Sequence, residues 1–458
     1  MVLETSRISS SGSEFSSVLK NGKSVSDVSP RVLETPKGTR DFLPEDKIIR
    51  DNLVKTLKEI FELYGYNPLE TPALENYETL SSKYAGGSEI MKEVYQITDN
   101  GGRKLGLRYD LTVPFARVIA TNSNIKKPFK RYQIDRVWRD GPIKLGRYRE
   151  FWQCDVDVVG ISSVLADAEI LSLASTFFKR IELDVIIKVN NRKLMNSLLD
   201  FTGIKNELQE QTILAIDKLY KIGPDGVRKE LEEKGLADDS IAKVLSVFSS
   251  GDESAEEILK KFSDILNNKE GLEEIRSLLD ACKSFGVDNV RFDPSLARGL
   301  AYYTGTVLEV YLNDGSLSSS LAAGGRYDKM IGNLIESKEE VPAVGMSFGL
   351  DVLADALALT KKIPKKKSVV EVFLAPIKTI NACIPILKKI RDAEIKADID
   401  FSGKGITKNL EYASKLEIPY VIIIGDSELK AKKVKLRNMK SGEEKMLTLE
   451  QAIAEVRK

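Results

Sequence analysis

"WRDGPIKLGRYREFWQCDVDVVG", residues 138–160, decides how this chain is read. From Phe151 onward polar and apolar residues alternate, the period of a strand with one buried face. Gln153, Asp155 and Asp157 fall on one face, and Cys154, Val156 and Val158 on the other. Ahead of them Gly141 and Pro142 interrupt the chain, with Arg139, Lys144, Arg147 and Arg149 around the interruption. The pattern predicts a hairpin: one strand ending at Arg139, a cationic loop, and a return strand carrying a row of acceptors. Guanidinium groups around such a loop suit a phosphate, and the flat face of Phe151 suits a stacked base. A solvated hairpin with a charged tip explains the cations as well. It does not explain two aspartates at strand positions that are ordinarily apolar or neutral.

The rest of the chain frames that hairpin. Its 458 residues suit two to three domains. Hydrophobic content of 42% and charged content of 30% are those of a soluble globular protein, and no apolar run is long enough to span a membrane. Lys and Arg total 69 against 68 Asp and Glu, so a polyanion would have to be met by local patches. There is no histidine, which excludes histidine triads and histidine metal ligands. Cys154, Cys282 and Cys383 lie far apart and form neither a metal-ligand nor a disulfide pattern, which points to a reducing, cytoplasmic compartment. No structural metal is expected.

Residues 1–34 are Ser-rich and read as a disordered tail; Glu4, Glu14 and Asp27 count against a transit peptide. Order is expected from "TPKGTRDFLP", 35–44, followed by a helix with Ile49, Leu53, Leu57, Ile60 and Tyr64 on one stripe and Gly65 as its stop. "YNPLETPALE" reads as a short strand broken by Pro68 and Pro72. Residues 195–285 read as an all-helical insertion, and "KKIPKKK", 361–367, as a basic linker. Strand–helix alternation over 368–458 predicts a small α/β domain.

Three further segments carry candidate chemistry. In "LRYDLTVPFAR", 107–117, Asp110 and Thr112 are two apart, and a carboxylate beside a hydroxyl suits an ammonium group. Local capping is the plainer explanation of that pair. In "LARGLAYYTG", 296–305, Arg298 is too costly to bury unpaired, and Tyr302 and Tyr303 stand beside it. "AAGGRYD", 322–328, implies a backbone that passes something closely.

Together these segments resemble the class II aminoacyl-tRNA synthetases, and specifically the histidyl family, over about residues 35–458. "TPKGTRDFLP", "LRYDLTVPFAR" and "GRYREFWQCDVDVVG" are similar to the eukaryotic and archaeal branch; "LARGLAYYTG" and "AAGGRYD" resemble the two histidine-specific signatures. The resemblance implies an α+β catalytic core (35–360) built on an antiparallel sheet, with the helical insertion inside it and a C-terminal α/β anticodon-binding domain (368–458). It implies ATP with Mg²⁺, L-histidine and tRNA(His) as substrates, and a homodimer whose interface involves the segment around Pro72. Residue by residue, Arg139 and Arg298 match the arginines on the α-phosphate, Phe151 the aromatic under adenine, and Arg147 the loop that reaches the triphosphate and the tRNA end. Asp110, Thr112 and Gln153 match positions that hold the α-ammonium. Asp157, Tyr302 and Tyr303 lie where the family reads the imidazole.

Two positions depart from the pattern. Asp157 stands where glutamate is frequent, and in "FGLDVL", 348–353, Val352 stands where the third class motif usually has an arginine on the nucleotide. A non-catalytic relative, the regulatory subunit of ATP phosphoribosyltransferase, resembles the same core without the anticodon-binding domain. Residues 368–458, Arg139 and Arg298 speak against that reading.

Overall fold

The computed structural model describes residues 33–81, 88–144, 146–249, 253–298, 302–360 and 366–457. Nearly all of the tail read at 1–34, and most of the linker read at 361–367, lie outside the described residues. Sixteen strands are described: β1 (Asn67–Pro68), β2 (Leu74–Asn76), β3 (Gln96–Thr98), β4 (Lys104–Leu107), β5 (Phe129–Trp138), β6 (Glu150–Val159), β7 (Val185–Asn191), β8 (Val290–Phe292), β9 (Thr306–Leu312), β10 (Ala322–Arg326), β11 (Ala343–Gly349), β12 (Val372–Pro376), β13 (Ala397–Ile399), β14 (Tyr420–Ile424), β15 (Val434–Asn438) and β16 (Glu444–Leu447).

Eight of them form the main sheet, in the order β1-β5-β6-β11-β10-β9-β7-β8. The inner pairings are antiparallel and the two outermost, β1 with β5 and β7 with β8, are parallel. The hairpin read at 138–160 is β5 and β6, in register from Phe129 opposite Val159 to Trp138 opposite Glu150. The prolines split "YNPLETPALE" in two. β1 joins the edge of the main sheet, while β2 pairs with β4 in a separate three-stranded sheet.

One face of the main sheet is sealed by helices. Cys154, Val156 and Val158 of β6 pack with Leu53, Leu57, Ile60 and Phe61 of the Pro44–Leu63 helix and with Leu171, Phe177 and Phe178 of the Leu165–Arg180 helix. Phe348 of β11 lies among these rings, 5.4 Å from Phe177 and 5.9 Å from Phe61. Sealing this face leaves the opposite face, with its acceptors, as the floor of a cleft. A buried ion pair holds one corner: Arg326, at the end of β10, meets Asp167 in the first turn of the Leu165–Arg180 helix and donates to the Ile161 carbonyl at 2.9 Å. The arginine of "GGRYD" is therefore committed to the fold.

Between β7 and β8 the described residues form six helices, the first Arg192–Phe201 and the last Glu270–Ser284. Gly223, at φ 71°, and Pro224 break the helix recorded at Leu219–Glu233. The C-terminal sheet runs β13-β12-β14-β15-β16, its first three strands parallel and the rest antiparallel. Apolar clusters lie on both of its faces, so β14 ("YVIII") is buried on both sides.

Candidate active site

A cleft of about 830 Å³ lies over β6, β9, β10 and β11. Asp110, Thr112, Arg139, Arg147, Phe151, Gln153, Asp157, Arg298, Tyr302 and Tyr303 all line it, although they come from segments almost two hundred residues apart.

The floor is an acid-rich layer around one guanidinium. Arg131, on β5, sits directly opposite Asp157 and forms an ion pair with it at 2.7 Å. Its Nη2 also donates to the Leu111 carbonyl at 3.1 Å, and the group lies 4.3 Å from the Phe115 ring centroid. The Tyr327 hydroxyl donates to Asp157 Oδ1 at 2.5 Å. A Cβ at position 345 would stand 1.9 Å from that carboxylate, so β11 has to be glycine there. Burial still raises the Asp157 carboxyl above its ordinary value; Arg131 and the Tyr327 bond oppose it.

Gln153 and Asp155 complete that face of β6. Gln153 Nε2 donates to Ser347 Oγ at 2.8 Å, and its Oε1 has no partner. Asp155 is 2% exposed, and its Oδ1 has no partner. Burial pushes its carboxyl up to about 7, against the field of Arg131. Asp110 accepts from the Val113 amide at 3.0 Å at the start of the Thr112–Thr121 helix; burial pushes it up to about 6, against that bond and Arg139. The capping explanation of Asp110 is thus correct as far as it goes, yet the group also faces the cleft.

The other end is cationic. Arg139 Nε donates to the Tyr109 carbonyl at 2.9 Å, and its guanidinium lies 5.2 Å from the Phe151 ring centroid. Arg147 donates to Glu93 at 2.6 Å. Arg298 pairs with Glu309, whose second oxygen accepts from the Tyr311 hydroxyl. Tyr302 and Tyr303 stand 4.7 Å apart between these ends, and Tyr302 meets Tyr327 edge-on at 6.1 Å. Such a cleft suits a ligand with nitrogen donors at one end and phosphate at the other.

The family model described as "Histidyl-tRNA synthetase" matches residues 38–353. The chain belongs to the histidyl-tRNA synthetase family. A second model, described as "Anticodon binding domain", matches residues 371–458. The fold is accordingly a class II synthetase core on an antiparallel sheet with a C-terminal anticodon-binding domain. The chain is 44% identical to histidine–tRNA ligase 1 of Bacillus cereus over 90% of its own length and 94% of the relative's. A crystal structure of histidyl-tRNA synthetase from a Nostoc species superposes with a TM-score of 0.81 at 30% identity, covering 93% of this chain and 98% of that one. A Bacillus halodurans structure described as an ATP phosphoribosyltransferase regulatory subunit/histidyl-tRNA synthetase superposes with a TM-score of 0.70 at 25% identity, covering 86% and 99%. These relatives are bacterial, and they give no support to the expected likeness to the eukaryotic and archaeal branch.

Within this histidyl-tRNA synthetase fold, sequence reading missed several groups. Arg131, Tyr327 and Ser347 contact the acceptor row, and Glu93 and Glu309 hold the two cleft arginines. Val352 is a buried part of the cleft wall, and Asp351 beside it is structural. Asp351 accepts from Arg50 and Arg40, each at 2.8 Å, and from the Trp152 amide at 3.0 Å, tying the first helix to β6.

The acid-rich floor predicts a stability slope. The chain has no histidine, so raised carboxyls dominate titration between about pH 5 and pH 7.5. Asp110 and Asp155 bind protons more tightly in the folded than in the unfolded state, so stability falls as pH rises through this window. The urea midpoint of the ligand-free protein is expected to drop between those pH values. A midpoint that rises would contradict the assignment.

Proposed function

We infer that the chain is a histidine–tRNA ligase: it activates L-histidine with ATP and transfers it to the end of tRNA(His). The observation that carries this reading is the cleft itself, with unpartnered acceptors at one end and anchored arginines at the other, in a chain matched by both family models. The histidine carboxylate attacks the α-phosphorus of ATP, and the bond to the bridging oxygen of pyrophosphate breaks. The terminal ribose hydroxyl of the tRNA then attacks the acyl carbon and AMP leaves. The first nucleophile is already ionised, so a chain without histidine loses nothing; positioning and charge stabilisation carry the step.

In this reading Arg139 and Arg298 take the α-phosphate, Phe151 stacks on adenine, and Arg147 reaches the triphosphate, whose Mg²⁺ arrives with the nucleotide. Asp110, Thr112 and Gln153 hold the α-ammonium. Asp157, oriented by Arg131 and Tyr327, takes the imidazole with Tyr302 and Tyr303. A substrate without a ring N–H would leave these buried groups unpaired, which supports discrimination of roughly 10⁴ without editing. The core spans 35–360 with its helical insertion at 195–285; 361–367 links it to the anticodon-binding domain at 368–458. The segment around Pro72 joins two copies into a homodimer, and the basic runs 361–367 and 430–438 contact tRNA phosphates. We place the reaction in the cytoplasm, in keeping with three buried, unpaired cysteines. Among the described residues no helix is long and apolar enough to cross a membrane.

ATP–pyrophosphate exchange tested with each standard amino acid decides the reading. Exchange with histidine alone is expected. Exchange with another amino acid, or with none, overturns it.

A further inference from the structure

Asp155 has no role in the reading above, yet it is the most conspicuous polar group of the floor. It lies between Gln153 and Asp157 on the cleft face of β6 and is 2% exposed, with Oδ1 unpartnered. A carboxylate oxygen taken out of water without a partner is costly unless something supplies a donor. The neighbours that face it across the sheet leave Oδ1 without a donor. Gln133, opposite on β5, exchanges hydrogen bonds with Thr71 at 3.1–3.2 Å. Ser347, opposite on β11, accepts from the Gln153 amide at 2.8 Å and gives its own hydroxyl hydrogen to Asp155, which still leaves Oδ1 without a partner. Arg131 places its Nη2 on Asp157 and the Leu111 carbonyl; its Nε and Nη1 are buried without partners and make no hydrogen bond to Asp155.

The charges do not balance either. Asp110, Asp155 and Asp157 share one floor and influence one another's protonation, and the guanidinium buried among them is that of Arg131. Arg139, held on the Tyr109 carbonyl, acts on Asp110. Among the described residues Arg131 is thus the one guanidinium that acts on Asp155, and it does not bond Oδ1.

We propose that Asp155 is a ligand of the amino-acid substrate, accepting a hydrogen bond from one of its nitrogens between the sites held by Gln153 and Asp157. This rests on the histidine-activating reading and adds a specificity-determining residue to it. Burial raises the Asp155 carboxyl to about 7, so near neutral pH about half of it carries a proton, which an arriving nitrogen replaces. The selectivity that results is for a substrate carrying nitrogens at both ends of the row.

The test is Asp155→Asn, assayed by histidine-dependent ATP–pyrophosphate exchange with separate KM values for histidine and ATP. The amide keeps the shape and removes the charge. KM for histidine is expected to rise roughly tenfold or more, the size of one charge-assisted hydrogen bond, with KM for ATP unchanged. The melting temperature of the ligand-free variant, measured at about pH 8 where the parent carboxylate is mostly charged, is expected to stay level or rise, while the shift produced by histidine shrinks. Competition by imidazolepropionate, which has the ring and lacks the amine, identifies the nitrogen. A retained penalty assigns the ring, and a vanished one assigns the ammonium. An unchanged KM for histidine, or a parallel rise in both KM values, overturns the proposal. Absence of histidine-dependent exchange in the unsubstituted protein would instead overturn the functional reading, and the histidine-induced melting shift would still test Asp155.

Discussion

Replacing Arg139 with alanine is expected to lower kcat for histidine-dependent exchange by roughly 10²–10³, the usual cost of removing one preorganised donor from a developing anion. The side chain is placed for that task. Its Nε is fixed on the Tyr109 carbonyl at 2.9 Å, and the plane lies beside Phe151, so the two terminal nitrogens are aimed without further ordering. The substitution also takes a cation away from Asp110, whose carboxyl then rises further, and KM for histidine should increase alongside. Lysine at 139 restores the charge but not the fork that bonds Tyr109 and phosphate at once, and is expected to recover only a small part of the rate. Exchange by the alanine variant within tenfold of the parent would remove Arg139 from the phosphate site. If kcat holds and only KM for ATP rises, Arg139 contributes binding common to the ground and transition states rather than catalysis.

How much of this was legible in the sequence follows from where each contact comes from. The alternation after Phe151 was sufficient to place three acceptors on one face, because a strand's period is local. The Pro44–Leu63 helix and its stop at Gly65 were legible for the same reason. Arg131 was recoverable in principle: once Arg139 pairs with Arg149, the same register carried back along both strands sets Arg131 opposite Asp157. Tyr327 was not recoverable that way. It follows β10, which is separated from β6 by β11, and no local pattern reports a contact across an intervening strand. The same holds for Glu93, 54 residues from Arg147, and the Arg298–Glu309 pair depends on how the chain before β9 turns back onto that strand. Val352 was visible as a departure, but only the fold shows what replaces the missing cation: an apolar wall, beside an aspartate committed to Arg40 and Arg50. The paired arginine and aspartate of "GGRYD" and the Leu165–Arg180 helix show the converse. A motif that reads as ligand-binding can carry, in its most conspicuous residue, an anchor of the fold.

Arg131→Met should be the most destabilising single change in the floor. Methionine fills a similar volume, so the cavity term is small and the outcome reports charge. The parent guanidinium is fully buried, pairs with Asp157 at 2.7 Å, and opposes the burial of Asp155. Without it, carboxyls at 155 and 157 lie in a dry layer with no compensating cation, and breaking a buried pair on one side costs about 3–5 kcal/mol. Urea unfolding at about pH 7.5 measures this, and the sign of its pH dependence gives the cause. Lowering the pH protonates the stranded carboxyls, so the loss should shrink at about pH 5.5. Adding Asp157→Asn should restore part of the stability, because it removes the charge that the methionine left alone; that non-additivity is the coupling of the pair. A loss below about 1 kcal/mol at both pH values would mean that the floor is hydrated and its carboxyls do not depend on Arg131. The rescued double variant is the sharper instrument for function, since it folds with the acceptor row intact in shape but without the Arg131–Asp157 pair. If it has lost histidine-dependent exchange while retaining its fold, the charged pair serves the substrate rather than the fold, since the fold holds without it.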